Sequence, residues 1–283
     1  MTHPTPQAAP RHRPRRRRNI ALLSIGLAAA ASVVILLAWR SERTWSGTAT
    51  ILETRSIAPG KHFARVRFDD DGRSSFEASV VRLPLHATTA LPCDVRGVER
   101  PSLERLLNDS AADVVINGGY FDASFQPLGL LRVGGIELSP LVRRPPMSGV
   151  LAVDASGAVS LVAADDPKVA SAVSARQCGP FVIDPDGSIG VASNASAIAE
   201  RTVVAISQDD DALLLIATTP VSLYDLARCL RGRADAFGVR RVDAALNLDG
   251  GPSAGMAWNL GDGARRSMEP RGRIADAIAF RAR

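Results

Sequence analysis

Short apolar or alternating runs recur along most of the sequence, and each is closed by Gly, Pro, Asp or Ser. GVLAV, AVSLVA, RTVVAIS and ALLLIATT are examples, and such runs are typical of β-strands joined by tight turns. The segments DASG (154–157), DPDG (184–187) and QDDD (208–211) predict three of those turns. With 46% hydrophobic residues, the chain can fill one sizeable core.

Helix signals are fewer than strand signals. PSLERLLND predicts one helix with Ser102 as its N-cap, and VSLYDLARCLRG predicts another, in which Ser222 and Asp225 have capping-box spacing. Many strands with a few interspersed helices, and no regular alternation, predict an α+β fold. We therefore expect a strand-rich mixed sheet with a few flanking helices, preceded by one N-terminal transmembrane helix.

The transmembrane helix is expected over residues 20–39, which carry no charge. About 20 apolar residues in a helix span a bilayer, and the arginines of RHRPRRRR (11–18) favour a cytoplasmic N-terminus. The prediction is a basic cytoplasmic tail at 1–19, a signal-anchor at 20–39, a linker at 40–45 and one domain at 46–283. The small residues AAAAS (28–32) leave a cleaved signal peptide as the alternative.

This topology predicts a single-pass protein of a bacterial inner membrane, with the lipid bilayer as a partner and the domain in the periplasm or outside the cell. The net charge of +5 belongs to the tail, because without its six arginines 28 basic residues face 29 acidic ones. The domain therefore has no basic footprint for nucleic acid. In an exported domain Cys93, Cys178 and Cys229 could form one disulfide, but unpaired buried thiols are equally compatible.

Several common catalytic motifs do not occur in the domain. Its two histidines, His62 and His86, lie far from any glycine-rich turn, so a Ser-His-Asp triad or a histidine zinc site is poorly supported. The sequence has no P-loop and no C-x-x-C pair.

Polar residues beside glycines follow two apolar runs. VVINGGYFD (114–122) places Asn117 at the end of a predicted strand, and AALNLDGGPS (244–253) does the same with Asn247 and Asp249. Paired glycines allow positive φ angles and bring backbone N–H groups close to a ligand. Either turn alone could be an ordinary turn, but two of them after buried strands favour a functional site.

The sequence resembles the phosphodiester glycosidase domain family. The resemblance rests on INGGYFD, PLGLLRVGG, SGVLAV, RQCGPFVIDPDG, ERTVVAIS, LYDLARCL and ALNLDGGPSAGM, in this order, and it spans about residues 112 to 283. It implies hydrolysis of a sugar-1-phosphate diester at the sugar side. A phosphodiester leaves readily, so the reaction needs positive charge and N–H donors on the phosphate more than a strong general acid.

The resemblance also implies roles for individual residues. Arg201 is expected to hold phosphate, and Asp249 to activate water or stabilise the oxocarbenium-like centre. Asp122 is a candidate second carboxylate, with a turn role as the alternative. Asn117 and Asn247 are expected to bond sugar hydroxyls or phosphate, or to stabilise turns. The other residues expected to bind substrate, as backbone donors, hydrogen-bonding groups or cleft wall, are Gly118, Gly119, Tyr120, Gln177, Gly179, Gly250, Gly251 and Ser253.

No cofactor or metal is required by this scheme, although Asp122 and Asp249 could share a hard cation. The sequence departs from the family pattern at Ser207, Pro252, Ala254 and Gly255. These departures leave open a non-catalytic module that binds glycan or phosphate with the same fold. A third hypothesis is an esterase or protease that uses Ser253, which the absence of a nearby His or Lys disfavours.

Overall fold

Antiparallel strands make up most of the chain that the computed structural model describes, which is residues 45–98, 101–191, 193, 197–259, 261 and 266–283, without the Ile57 side chain. These residues belong to one compact unit, which ends at Arg283. The predicted tail, the signal-anchor and most of the linker lie outside the described residues. In the described ranges, no helix is long and apolar enough to cross a membrane.

The described elements are short and mostly extended. The strands are β1 (Thr48–Ala58), β2 (Lys61–Asp69), β3 (Ser75–Pro84), β4 (Thr88–Asp94), β5 (Val114–Asn117), β6 (Leu131–Val133), β7 (Ile136–Ser139), β8 (Gly149–Val153), β9 (Val159–Ala163), β10 (Ser174–Cys178), β11 (Phe181–Ile183), β12 (Ala199–Ser207), β13 (Ala212–Val221), β14 (Ala244–Asn247), β15 (Met256–Trp258), β16 (Arg266–Met268) and β17 (Asp276–Ala282). The α-helices are α1 (Leu103–Ser110), α2 (Lys168–Ser171) and α3 (Leu223–Gly232), and 3-10 turns occur at Ala234–Phe237 and Gly251–Ser253.

The strands form three sheets. The large sheet has the order β1-β2-β3-β13-β12-β14-β11, the lobe sheet has the order β7-β6-β10-β8-β9, and the C-terminal sheet has the order β16-β15-β5-β17-β4. The prediction of a strand-rich fold with few helices is confirmed, and its strands are divided among these three sheets.

One shared core holds the three sheets together. Side chains of all three interleave there, among them Leu83, Leu151, Leu215, Leu246 and Ile278. Layers on the outer faces complete the packing: α3 covers the large sheet, α1 covers the C-terminal sheet, and α2 lies against the lobe sheet. Strands β5, β8, β10 and β14 are therefore buried along their whole length, and residues at their ends are held rigidly.

Local signals in the sequence correctly predicted several turns and caps. The Ser102 hydroxyl accepts a hydrogen bond from the Arg105 amide at the start of α1, and the Ser222 hydroxyl accepts one from the Asp225 amide at the start of α3. The turn at 154–157 joins β8 to β9, and the turn at 208–211 joins β12 to β13. Cys93, Cys178 and Cys229 are free thiols in the structure.

We expect Leu215→Ala to lower the free energy of unfolding by about 2–5 kcal/mol, because it opens a cavity in the shared core. Leu138→Ala is the matched control, since Leu138 is 39% exposed and its loss should cost less than about 0.5 kcal/mol. Chemical denaturation of the purified protein measures both values. Equal losses in the two variants would contradict the shared core.

Candidate active site

The candidate site is organised around a buried ion pair. Arg176, in β10, and Asp276, at the start of β17, have fully buried side chains. The Arg176 Nε donates to Asp276 Oδ1 at 2.8 Å and its Nη2 donates to Oδ2 at 2.9 Å, which is a bidentate pair. The other guanidinium protons go to the carbonyl oxygens of Tyr120, Leu128 and Gln177. The pair therefore joins the lobe sheet to the C-terminal sheet. All N–H groups of the Arg176 guanidinium have acceptors.

Gly118 and Gly119 pack directly against this ion pair. A Cβ atom on Gly118 would lie 1.6 Å from Asp276 Oδ1, and one on Gly119 would lie 2.5 Å from the Arg176 guanidinium carbon. Their amides donate to the Asp276 carbonyl oxygen and to Asp276 Oδ1. The expectation that these two amides serve as donors to substrate is thus not met in the structure, because both already have acceptors. Glycine is needed at both positions because a side chain there would clash with the ion pair.

Asn117 joins the two glycine turns. Its Nδ2 donates to the carbonyl oxygens of Gly118 at 3.1 Å and Asp249 at 2.8 Å, and its Oδ1 accepts from the Gly255 amide at 3.0 Å. The Asp249 amide in turn donates to the Gly118 carbonyl oxygen. The two sequence motifs therefore form one site, with Asn117 in the turn-stabilising role that the sequence left as an alternative.

Asn247 lies at the end of β14, two residues before Asp249, and has an unsatisfied oxygen. It is 1% exposed, and its Nδ2 donates to the Tyr120 hydroxyl at 3.0 Å and to the Gly179 carbonyl oxygen at 3.1 Å. Its Oδ1 is buried and has no hydrogen-bond partner. A flip of the amide would place Oδ1 against the Gly179 carbonyl oxygen, so the orientation is fixed by that contact. A buried acceptor without a donor costs about 1–3 kcal/mol, which a ligand donor would recover.

Tyr120 closes the same network. Its hydroxyl donates to the Gly179 carbonyl oxygen at 2.7 Å and accepts from Asn247. Burial raises the pKa of Tyr120 well above its ordinary value, with smaller contributions from Cys178 and Asp249, while Arg201 opposes them. Tyr120 is therefore a neutral phenol that lies within electrostatic reach of both Asp249 and Arg201.

Asp249 supplies a half-buried carboxyl group. Burial raises its pKa above the ordinary value, and hydrogen bonds from Ser253 and the Gly250 amide counteract that effect. The Gly250 amide donates to Oδ1 at 2.9 Å, so the carboxylate also stabilises its own turn. The Ser253 hydroxyl has a second available acceptor, the Arg273 carbonyl oxygen at 3.4 Å. Ser253 is the last residue of a 3-10 turn and does not cap it.

Arg201 lies opposite the Asp249 turn, at the start of β12. Its Nε donates to the Val221 carbonyl oxygen at 3.1 Å, and its Nη2 contacts the Ala197 carbonyl oxygen. A Cβ on Gly250 would lie 3.6 Å from its Nη1, so that nitrogen faces the turn. Within the described part of the chain no carboxylate pairs with Arg201, and burial lowers the pKa of the guanidinium. This charge is therefore available to an anion.

Two predicted residues serve other purposes. The exposed Asp122 accepts hydrogen bonds from the amides of Ser124 and Gln126, which is its alternative role in a turn. Gln177 is fully buried and bonds to the backbone of Leu130, Val142 and Met147 through both ends of its amide. Because these donors and acceptors are already used, Gln177 shapes the wall and is not free to bind substrate. Gly251, with φ +58°, has open space beside it.

The family comparison agrees with this geometry. Residues 110–281, more than half of the chain, match the phosphodiester glycosidase family. The chain belongs to this family. No curated protein matches the sequence.

Solved structures share the fold of this chain at low sequence identity. A hypothetical protein from Synechocystis aligns with a TM-score of 0.61 and 15% identity over 83% of this chain, which spans only 64% of that protein. The zebrafish N-acetylglucosamine-1-phosphodiester alpha-N-acetylglucosaminidase catalytic domain, auto-inhibited by its pro-peptide, aligns with a TM-score of 0.57 and 18% identity, covering 84% of this chain and 88% of that one. A Burkholderia pseudomallei protein aligns with a TM-score of 0.51 and 13% identity, covering 73% of this chain and 74% of that one.

Arg176 and Asp276 are not among the site residues predicted from the sequence. Arg176 stands in the family-like segment RQCGPF, which was a usable signal, whereas Asp276 opens an ordinary apolar strand run. Among the described side chains, no group of three or more His, Cys, Asp or Glu could hold a metal ion. Independence from metal stays a prediction, which chelation would test.

We expect Asp276→Asn to lower the free energy of unfolding by about 3–5 kcal/mol, because it leaves the Arg176 charge buried without a partner. The control is Asp235→Asn, whose exposed pair with Arg233 should contribute less than about 1 kcal/mol. Denaturant unfolding measures both. A loss at Asp276 as small as that at Asp235 would show that the ion pair does not organise the fold.

Proposed function

We propose that this chain hydrolyses sugar-1-phosphodiester bonds in a polysaccharide, cell-wall polymer or glycoconjugate, as a membrane-anchored enzyme that faces the cell envelope. The observation that carries the proposal is the orphaned Asn247 Oδ1, which lies in a network with Tyr120, beside the Asp249 turn. A sugar hydroxyl is a donor that would satisfy this buried acceptor. Membership of the phosphodiester glycosidase family supports the same bond type.

The arrangement suits cleavage of the bond between the anomeric carbon and oxygen. Water adds to the anomeric carbon while the carbon–oxygen bond breaks, and the electron pair leaves with the phosphate as a phosphomonoester. The Arg201 guanidinium, which has no carboxylate partner among the described residues, stabilises that departing charge. The Asp249 carboxylate takes the proton of the attacking water and stabilises the positive charge at the sugar carbon.

A binding module of the same fold is the second candidate. Two-carboxylate glycosidases use a second acidic group near the bond, and Asp122 is bonded within its own turn instead. Ala254 and Gly255, where small hydroxyl residues are expected, also reduce the polar groups of the site. Such a module would bind glycosyl phosphates through Asn247 and Arg201 without turnover.

A panel of sugar-1-phosphodiesters, incubated with the full-length protein in detergent, distinguishes the two candidates. Mass spectrometry should detect free sugar and phosphomonoester. We expect Asp249→Asn to reduce kcat by about 10²–10⁴-fold, the contribution typical of a positioned base. Asp122→Asn is the matched control and should change kcat less than threefold, about 0.7 kcal/mol. Saturable binding without turnover in the wild type would favour the binding module.

The pH profile provides a separate prediction. An ionised Asp249 is required, so kcat/KM should fall as the pH drops through a pKa above the ordinary Asp value of about 3.9. Ser253→Ala removes a hydrogen bond that lowers this pKa, so the acidic limb should move to higher pH. Initial rates across the acidic range measure the shift. A limb that stays in place, or moves down, would show that Asp249 does not control it.

A further inference from the structure

A cavity of about 440 Å³ opens next to the candidate site. It lies between the lobe sheet and β11, the edge strand of the large sheet, and is walled by the 143–148 loop, the residues after β9 and the start of β11. Its size falls in the range of small-molecule sites, roughly 300–1,000 Å³. Pro180 lines it and follows Gly179, whose carbonyl oxygen receives Tyr120 and Asn247. One peptide unit therefore separates the cavity from the site.

The cavity combines apolar walls with unpaired charges of both signs. Its apolar part includes Pro146, Met147, Pro180 and Phe181. Its charged groups are Arg143, Arg144, Asp165 and Asp184. In the described structure neither guanidinium forms a hydrogen bond or an ion pair, and the Asp165 carboxylate is likewise without a donor. Donors and acceptors are thus both available to a ligand.

This mixture identifies the chemical class of the ligand. A phosphate group would meet the two carboxylates, and a purely apolar group would leave Arg143, Arg144 and Asp165 without partners. A sugar ring has hydroxyls that donate to Asp165 and Asp184 and accept from the arginines. Its C–H face packs on apolar side chains. The lining therefore fits a saccharide unit.

The position of the cavity determines which sugar it can take. At this edge of the large sheet the order of strands is β12, β14, β11, with neighbours about 4.8 Å apart. Arg201 lies near the start of β12, Asn247 at the end of β14, and Phe181 at the start of β11. Asn247 is thus between Arg201 and the cavity. If Arg201 holds phosphate, the cavity lies on the side of the reacting sugar that is away from the phosphate.

The geometry points to a second saccharide subsite, in which this cavity binds the sugar unit that precedes the reacting one. The inference rests on the proposed function and specifies its substrate class: an oligosaccharyl phosphodiester, as at a repeat unit of a polymer, is preferred over a monosaccharyl one.

Paired substrates test this inference with the full-length protein. Each pair consists of a hexose or N-acetylhexosamine 1-(methyl phosphate) and the disaccharide with the same reducing-end unit and the same methyl phosphate. We expect the disaccharide to have a kcat/KM about tenfold higher, or 1.4 kcal/mol. The double variant Arg143→Ala/Arg144→Ala should lose this preference and retain its rate on the monosaccharide. Arg73→Ala, another exposed arginine without a side-chain partner in the described structure, is the control.

A binding titration separates this inference from the proposed function. Neutral disaccharides of the same panel, without phosphate, are titrated by NMR, and saturable binding that the double variant weakens about tenfold supports the subsite even where no diester is hydrolysed. Equal kcat/KM on mono- and disaccharyl substrates, with no disaccharide binding, would overturn it. Equal losses on both substrates in the double variant would also overturn it, since the cavity would then hold the reacting sugar itself.

Discussion

The bidentate ion pair of Arg176 and Asp276 is the interaction on which the site depends. It is fully buried, so the cost of removing two charges from water is offset only because the guanidinium bonds five acceptor atoms. Through these bonds it fixes Gly118 and Gly119, and through the backbone of Tyr120 it fixes the start of the polar network. Three antiparallel sheets meet around this point, which explains how short strand ends can hold a precise arrangement.

The polar groups near this pair show which residues support the site and which remain available. The side-chain amides of Asn117 and Gln177 form hydrogen bonds with the backbone, so these residues shape the site without contacting a ligand. Asn247 and Arg201 differ from them, since the Asn247 Oδ1 has no donor and Arg201 has no carboxylate partner among the described residues. The half-buried Asp249 carboxyl lies with them, and burial raises its pKa. These groups are complementary to the parts of a glycosyl phosphodiester. The Asn247 Oδ1 matches a sugar hydroxyl, the Asp249 carboxyl matches the developing positive charge on the anomeric carbon, and the Arg201 guanidinium matches the phosphate.

Local sequence signals predicted the strands and the caps at Ser102 and Ser222, because each depends on neighbours within a few residues. They indicated a functional site at the two glycine turns, but the contact between the turns depends on residues far apart in the sequence. They did not distinguish Asn117 from Asn247, since both follow a buried strand in the same pattern. The packing of distant strands decides the difference. It gives Asn117 hydrogen-bond partners at both ends of its amide and leaves the Asn247 Oδ1 without a donor. Asp276 was missed for the same reason, because its partner is 100 residues away.

The position of bond cleavage tests the account most directly. For this test the protein is incubated with a sugar-1-phosphodiester in water enriched in oxygen-18, and mass spectrometry locates the label in the products. Attack at the anomeric carbon, with Arg201 on the leaving phosphate and Asp249 beside the sugar, places the heavy oxygen in the released sugar. Label in the phosphomonoester would mean that water attacks phosphorus, and the assignment of these two residues would then be wrong.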